Sequence, residues 1–397
     1  MAEASAPGVS EPRIPFALPD IGDGEIAAVV EALRSGWITT GPRVHQFEEQ
    51  FAEAVGAPHA LAVNSATSGL HLALEASGVV TDDAVIVPTV TFAASAETVR
   101  YLGAHPVLAD VDPATGLMAP EHCREAIGRA EAAGWRVAAV MPVHLAGQAC
   151  DMDGLVEVAG AIGARVVEDA AHAFPATHHS RPIGSIGDFT VFSFYATKAL
   201  TTGEGGMITT ADAGAAARMK VMRLHGIDRD AWDRYNRDDP GWYYEVIAPG
   251  FKYNMTDIAA AMGIEQLRRS EDLWARRAAI AGRYREGLAG TGIEPLRVDR
   301  PGDRHAWHLF VVRLPEGLAR DDLVAALAAA GIGTSVHFIP LHRMPYYRDT
   351  YRLSGDRFPG AEAYYASCLS LPIYTRMSDA DVDRVLAACR TAARAAS

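Results

Sequence analysis

Val166-Val167-Glu168-Asp169-Ala170-Ala171-His172 and, shortly after it, Phe192-Ser193-Phe194-Tyr195-Ala196-Thr197-Lys198 are two apolar runs that each lead into charged chemistry. Asp169 stands 29 positions before Lys198, and the glycine-rich Thr202-Gly203-Glu204-Gly205-Gly206 follows directly. Only three of the chain's 36 basic residues are lysines, namely Lys198, Lys220 and Lys252. Arginine can replace lysine wherever a positive charge is all that is needed, but its guanidinium stays protonated and cannot condense with an aldehyde. An acid at one strand end and a lysine just after the next strand suit pyridoxal phosphate (PLP), which uses a lysine amine and a carboxylate facing its ring nitrogen. A surface lysine and a helix-capping aspartate are the plainer alternatives for each residue alone.

Working outward, Ala60–Val63, Ala84–Val87, Pro106–Ala109, Val137–Met141, Arg165–Val167, Phe189–Ser193 and Gly206–Thr209 read as buried strands. Helical stretches such as Thr67–Ala76 and Asp151–Ile162 lie between several of them. Alternating strand and helix predict an α/β domain with a mostly parallel sheet, seven-stranded if every run joins it. Ligands of such sheets bind beyond the carboxyl ends of the strands, where Asp169, Ser193 and the turn Asn64-Ser65-Ala66-Thr67-Ser68 fall. One long helix is expected over Asp257–Leu288, then strands at Trp307–Arg313 and Gly333–Phe338 and helices at Arg320–Ala330 and Ser378–Ala392. These predict a smaller C-terminal α+β domain, with the division drawn as 1–260 and 261–397.

Thr67 and Ser68 open a helix after a strand and Ser193 closes another strand, so all three suit a phosphate. Each alone reads equally as a cap. The agreement of the three with Asp169 and Lys198 carries more than any one of them.

The formal net charge is −13 and no basic cluster offsets it, which argues against a nucleic-acid partner. Four dispersed cysteines, at 123, 150, 368 and 389, form no CxxC pair, so neither a disulfide framework nor a metal site is expected. The neighbouring His178 and His179 read as an exposed loop in preference to a metal pair. No apolar stretch reaches membrane-spanning length and no signal peptide is visible, so a cytoplasmic location is expected.

Asn64-Ser-Ala-Thr-Ser-Gly-Leu, Pro88-Thr-Val-Thr-Phe92, Glu168-Asp-Ala-Ala-His172, Phe192-Ser-Phe-Tyr-Ala-Thr-Lys198 and Gly250-Phe-Lys-Tyr-Asn-Met-Thr-Asp257 resemble the DegT/DnrJ/EryC1/StrS sugar aminotransferases. The resemblance runs in order from about Ile14 to the C-terminus and includes Trp37-Ile-Thr-Thr-Gly-Pro42 and Gly331-Ile-Gly-Thr-Ser-Val-His-Phe338. It implies the PLP-dependent transferase fold type I (aspartate aminotransferase-like) and a homodimer with active sites shared between subunits. By position, it implies that Lys198 binds PLP and shuttles the proton, and that Asp169 faces the ring nitrogen. Thr67, Ser68 and Ser193 would hold the phosphate, joined by Asn254 from the other subunit. Phe92 takes the place of the stacking ring and His172 the place beside the phenolic oxygen. Without the resemblance, Phe92 reads as core packing and His172 as a satisfied buried histidine. Lys252 and Arg223 are candidates for the substrate's diphosphate or the amino donor's carboxylates. His337 is a candidate substrate-side residue, with His342 as its alternative.

The implied reaction passes an amino group from glutamate, through the pyridoxamine form of the cofactor, to a nucleotide-linked keto sugar. Gly331–Phe338 and His342–Tyr347 look most like the members that aminate C4 of a dTDP- or UDP-linked 4-keto-6-deoxyhexose. Amination at C3, amination of a cyclitol, and a non-catalytic sensor on the same fold are the competing readings. Family dehydratases carry histidine where Lys198 stands, which argues against deoxygenation here. Antibiotic deoxysugar and surface-glycan pathways both fit the composition.

Overall fold

The computed structural model describes residues 12–228, 243–300 and 302–396. Seven strands, β1 (His59–Val63), β2 (Ala84–Pro88), β3 (His105–Ala109), β4 (Val137–Val140), β5 (Arg165–Asp169), β6 (Phe189–Ser193) and β7 (Gly206–Thr210), form one sheet in the order β1-β7-β6-β5-β4-β2-β3. β2 pairs in parallel with β3 and β4, β4 with β5, and β5 with β6. β7 alone runs antiparallel to its neighbours β1 and β6. All seven sequence runs join this sheet. Every residue of β2, β4 and β7 is buried, which is why these strands are continuously apolar instead of alternating.

The faces of the sheet are covered by α2 (Pro42–Val55), α3 (Ala66–Ala76), α4 (Ala93–Tyr101), α5 (Pro120–Ala132), α6 (Met152–Ala161) and α7 (Ala213–Met222), with α1 (Asp23–Ser35) packing on α8 (Asp257–Arg268). α3 lies very close to the sheet: a Cβ on Gly69 would stand 2.7 Å from Val191 Cγ1. Any other residue there would push the helix, and the turn before it, away from the strand ends.

A second apolar core gathers Ile280, Tyr284, Phe310, Leu323, Leu369 and Val382 around a three-stranded antiparallel sheet of β8 (Glu294–Pro295), β9 (Phe310–Arg313) and β10 (Cys368–Leu371). It is flanked by α9 (Ser270–Leu288), and Ile14 joins it by bridging Ile332. Two expectations are corrected. The stretch from Asp257 to Leu288 is two helices broken at Arg269, whose guanidinium is drawn off to Asp20 and Glu25. Gly333–Phe338 is not a strand: within it only Ser335 makes a β-bridge, to Ser370.

All four cysteines are free and buried. Among the described residues no helix is long and apolar enough to cross a membrane. His178 is fully buried, contrary to the exposed loop expected, while His179 beside it is exposed.

Candidate active site

A cavity of about 470 Å³ opens beyond the carboxyl ends of the parallel strands, and Asp169, Lys198, His172, Ser193, Thr67, Phe92 and His337 all line it. The sheet topology explains why residues so far apart in sequence meet there. β5 delivers Asp169 at its last residue and β6 delivers Ser193 at its own, and Lys198 follows within the next turn.

Asp169 is held on every side. Its N–H donates to Pro142 O at 2.8 Å, and its carbonyl accepts from His144 N at 3.1 Å. Of its carboxylate oxygens, Oδ1 accepts from Ala171 N at 3.1 Å and Oδ2 from Ser95 Oγ at 2.7 Å. Ser95 Oγ lies 2.6 Å from Thr91 Oγ1, so the two hydroxyls form a buried relay behind the carboxylate. Ser95 was not singled out in the sequence. The preceding Glu168 is buried and ties the strand together, accepting from Gly187 N and Thr190 Oγ1, both at 2.7 Å, and pairing with His144 Nε2 at 2.8 Å.

Lys198 is half-buried at the cavity wall. Burial pushes its amine down to about 8, with the Asp169 carboxylate opposing that shift. His172 is held well below its ordinary value by burial and then by the Lys198 charge, so it is a neutral imidazole. Its Nδ1 accepts from Ala146 N at 3.3 Å, which leaves the ring proton on Nε2. His337 is brought down to about 4, again by burial and then Lys198, and its Nδ1 lies 2.8 Å from Ser370 Oγ.

The anion end of the cavity is the start of α3. Ser65 caps this helix by accepting from Ser68 N at 3.1 Å, and Ala66 and Thr67, whose amides precede the first helical hydrogen bond, line the wall with it. Gly206 faces the same turn, where a Cβ would come within 2.8 Å of Ser65 C and Ala66 N. Ser68 lies off the cavity, its hydroxyl donating to Asn64 Oδ1 at 2.6 Å, while Ser65 lines the wall.

Arg223 lies off the cavity as well. Its side chain is 4 % exposed, ion-paired with Glu48 and donating to Ala62 O at 2.8 Å, so its charge is already satisfied beneath β1. His342 is fixed between Thr89 Oγ1 at 2.8 Å and Glu362 Oε1 at 2.7 Å, away from the cavity. Lys252 is exposed and outside the cavity. Asn254 is outside it as well, its Nδ2 donating to Thr40 Oγ1 at 2.7 Å. His308, which the sequence did not flag, lines the cavity with its ring centroid 4.4 Å from that of His172. Arg277 fixes this segment by donating to Trp307 O at 3.2 Å and Ile373 O at 3.0 Å.

These residues fit PLP. A buried amine of lowered pKa, a clamped carboxylate and a helix N-terminus with free amides share one cavity, and each answers a different part of that molecule. The fold and this constellation define a PLP-dependent aminotransferase of the aspartate-aminotransferase type. Residues 19–390 match the DegT/DnrJ/EryC1/StrS aminotransferase family, and the chain belongs to that family. It is 48% identical over 382 residues to the spore coat polysaccharide biosynthesis protein SpsC of Bacillus subtilis, covering 95% of this chain and 96% of SpsC. Among solved structures, Spr1654 of Streptococcus pneumoniae in its PMP form superposes with a TM-score of 0.89 at 34% identity, covering 97% of this chain and 100% of that one. DesI, solved in the presence of its TDP-sugar product, superposes at 0.84 with 34% identity, covering 97% of this chain and 94% of DesI.

Proposed function

We propose that the protein transfers an amino group from glutamate to C4 of a dTDP- or UDP-linked 4-keto-6-deoxyhexose, giving a 4-amino-4,6-dideoxy sugar nucleotide. The observation that carries this reading is Lys198 and Asp169 at the wall of one cavity, the amine pushed down to about 8 by burial. Bound PLP supplies an electron sink for the carbon that gains or loses the amino group.

The chain's own residues do the rest. Lys198 takes a proton at Nζ and returns it on the far side of the exchange, a role suited to an amine that titrates near working pH. Asp169 holds a proton on the ring nitrogen through a charge-assisted hydrogen bond, and Ser95 and Ala171 fix the carboxylate in place. Thr67, Ser193 and the first amides of α3 bind the phosphate, with Ser65 beside them and Asn254 contributed by a second subunit. Phe92, 61% exposed in the single chain and lining the cavity, would stack on the ring. His172 donates from Nε2 toward the phenolic oxygen, and neutral His337 faces the sugar. Lys252 meets the diphosphate or the donor's carboxylates from outside the cavity.

The same reading includes a homodimer. Phe92, Tyr195 and Ile38 are large, apolar and exposed, as a subunit interface over the cavity would leave them in one chain. For the nucleotide-linked substrate, the support is the TDP-sugar product of DesI.

The test is a panel of dTDP- and UDP-linked 3-keto and 4-keto sugars, each incubated with glutamate and read by mass and by the position of the new C–N bond. Amination at C3 only, or of a cyclitol only, overturns the C4 assignment. Lys198→Ala abolishes turnover and Lys220→Ala, on the exposed surface of α7, leaves it nearly intact; equal losses mean the lysine is misassigned. A yellow protein that no amino donor bleaches would instead mark a non-catalytic sensor.

A further inference from the structure

A short hairpin, Thr177–His178 against Arg181–Pro182, carries a histidine that is sealed from solvent, with no hydrogen-bond partner at Nδ1 and only the Asp153 carboxylate facing Nε2. Leaving a buried polar group unsatisfied costs on the order of 1–3 kcal/mol. His178 Nε2 stands 3.3 Å from Asp153 Oδ2, and His179 Nε2 stands 3.7 Å from the same oxygen. One ligand atom from each of the three residues lies within 4.8 Å of the others. In a tetrahedral site with bonds of about 2.0–2.1 Å, neighbouring ligand atoms are about 3.3–3.4 Å apart. The first separation matches; the second, and that between the two imidazoles, which is within 4.8 Å, close by movement of the exposed His179 side chain.

The surroundings hold the three residues in place. Asp153 Oδ1 pairs with the Arg181 guanidinium, which turns Oδ2 toward the histidines. Asp303 fixes the hairpin turn by accepting from His179 N at 2.9 Å and Ser180 N at 3.0 Å. Two imidazoles and one carboxylate suit a metal that bonds strongly to imidazole, whereas calcium takes about six to eight oxygen ligands.

We propose that Asp153, His178 and His179 bind a zinc-class divalent cation, with water in the fourth position, at a site separate from the transamination cavity. The ion would join the first turn of α6 to the hairpin and stabilise the folded chain by mass action.

The experiment titrates tag-free holoenzyme with cobalt(II) alone and follows the visible absorption of tetrahedral cobalt, with zinc(II) as competitor. About one equivalent per chain should bind in the micromolar range, with zinc displacing it. Asp153→Asn and His179→Ala alter exposed side chains and keep the fold, and each should weaken binding at least tenfold. Absence of saturable uptake below millimolar metal, or uptake that neither substitution changes, overturns the proposal.

Discussion

The Ser95 hydroxyl donates to Asp169 Oδ2 at 2.7 Å, with both residues closed to solvent. Hydrogen bonds to buried charged groups contribute about 1.5–3 kcal/mol, because nothing replaces them when they are removed. Ser95→Ala should therefore lower kcat by about 10- to 100-fold. It should also shift the pH dependence of the bound cofactor's absorbance, a change that simple loss of packing would not cause. Unchanged kcat and an unchanged spectral titration would mean that the hydroxyl only fills space.

Lys198 gives a pH prediction whose sign can be worked out. Its amine titrates near 10.5 in the unfolded chain and near 8 in the folded one, because burial disfavours the charge. Between those values the unfolded state binds more protons, so the stability of cofactor-free protein rises with pH across this window. Below about 8 both states hold the proton and the folded chain bears the full cost of the buried charge. Denaturation midpoints of wild type minus those of Lys198→Ala should climb from pH 8 to 10. A flat difference would refute the shift.

Arg223 separates a structural role from a substrate role. Breaking a buried ion pair from one side costs about 3–5 kcal/mol, since the remaining Glu48 carboxylate is left uncompensated. Arg223→Ala should lower the unfolding free energy by that order, with KM for the sugar nucleotide nearly unchanged in the enzyme that stays folded. A large rise in KM without loss of stability would return Arg223 to the substrate.

What could be read in the sequence was whatever leaves a local signature. The seven strands declared themselves because continuous apolar runs between helices have few other places to go. Lys198, Asp169 and Thr67 stood out because each combines an unusual chemistry with a strand or helix end. Gly333–Phe338 misled because a short mixed apolar stretch mimics a strand, whereas only Ser335 finds a ladder partner. The break at Arg269 had a signal, Ser270-Glu271-Asp272 being an ordinary helix start, which the helical pattern on both sides obscured. Ser95, His308 and the true state of Arg223 had none. Their partners lie far away in sequence (Asp169 for Ser95, Glu48 for Arg223), and only folding brings them together.

Asn254 poses the remaining question, whether two chains build one cavity. Its side chain donates to Thr40 Oγ1 at 2.7 Å and stays outside the cavity of its own chain, although its place in the family pattern is that of a phosphate ligand. The shared site proposed above would resolve that mismatch by placing Asn254 at the partner subunit's cavity. Lys198→Ala and Asn254→Ala homodimers should each be nearly inactive, since each lacks one component in both sites. Mixing unfolded chains of the two variants in equal amounts and refolding them makes about half the dimers hybrid. In a hybrid, one site has lost both components and the other has kept both, so activity should recover toward about a quarter of wild type. Recovery depends on exchange between chains, so it should vanish when the variants are refolded separately and then combined. If the hybrids stay as inactive as their parents, Asn254 and Lys198 do not serve a common site from opposite chains, and the cavity is complete within a single subunit.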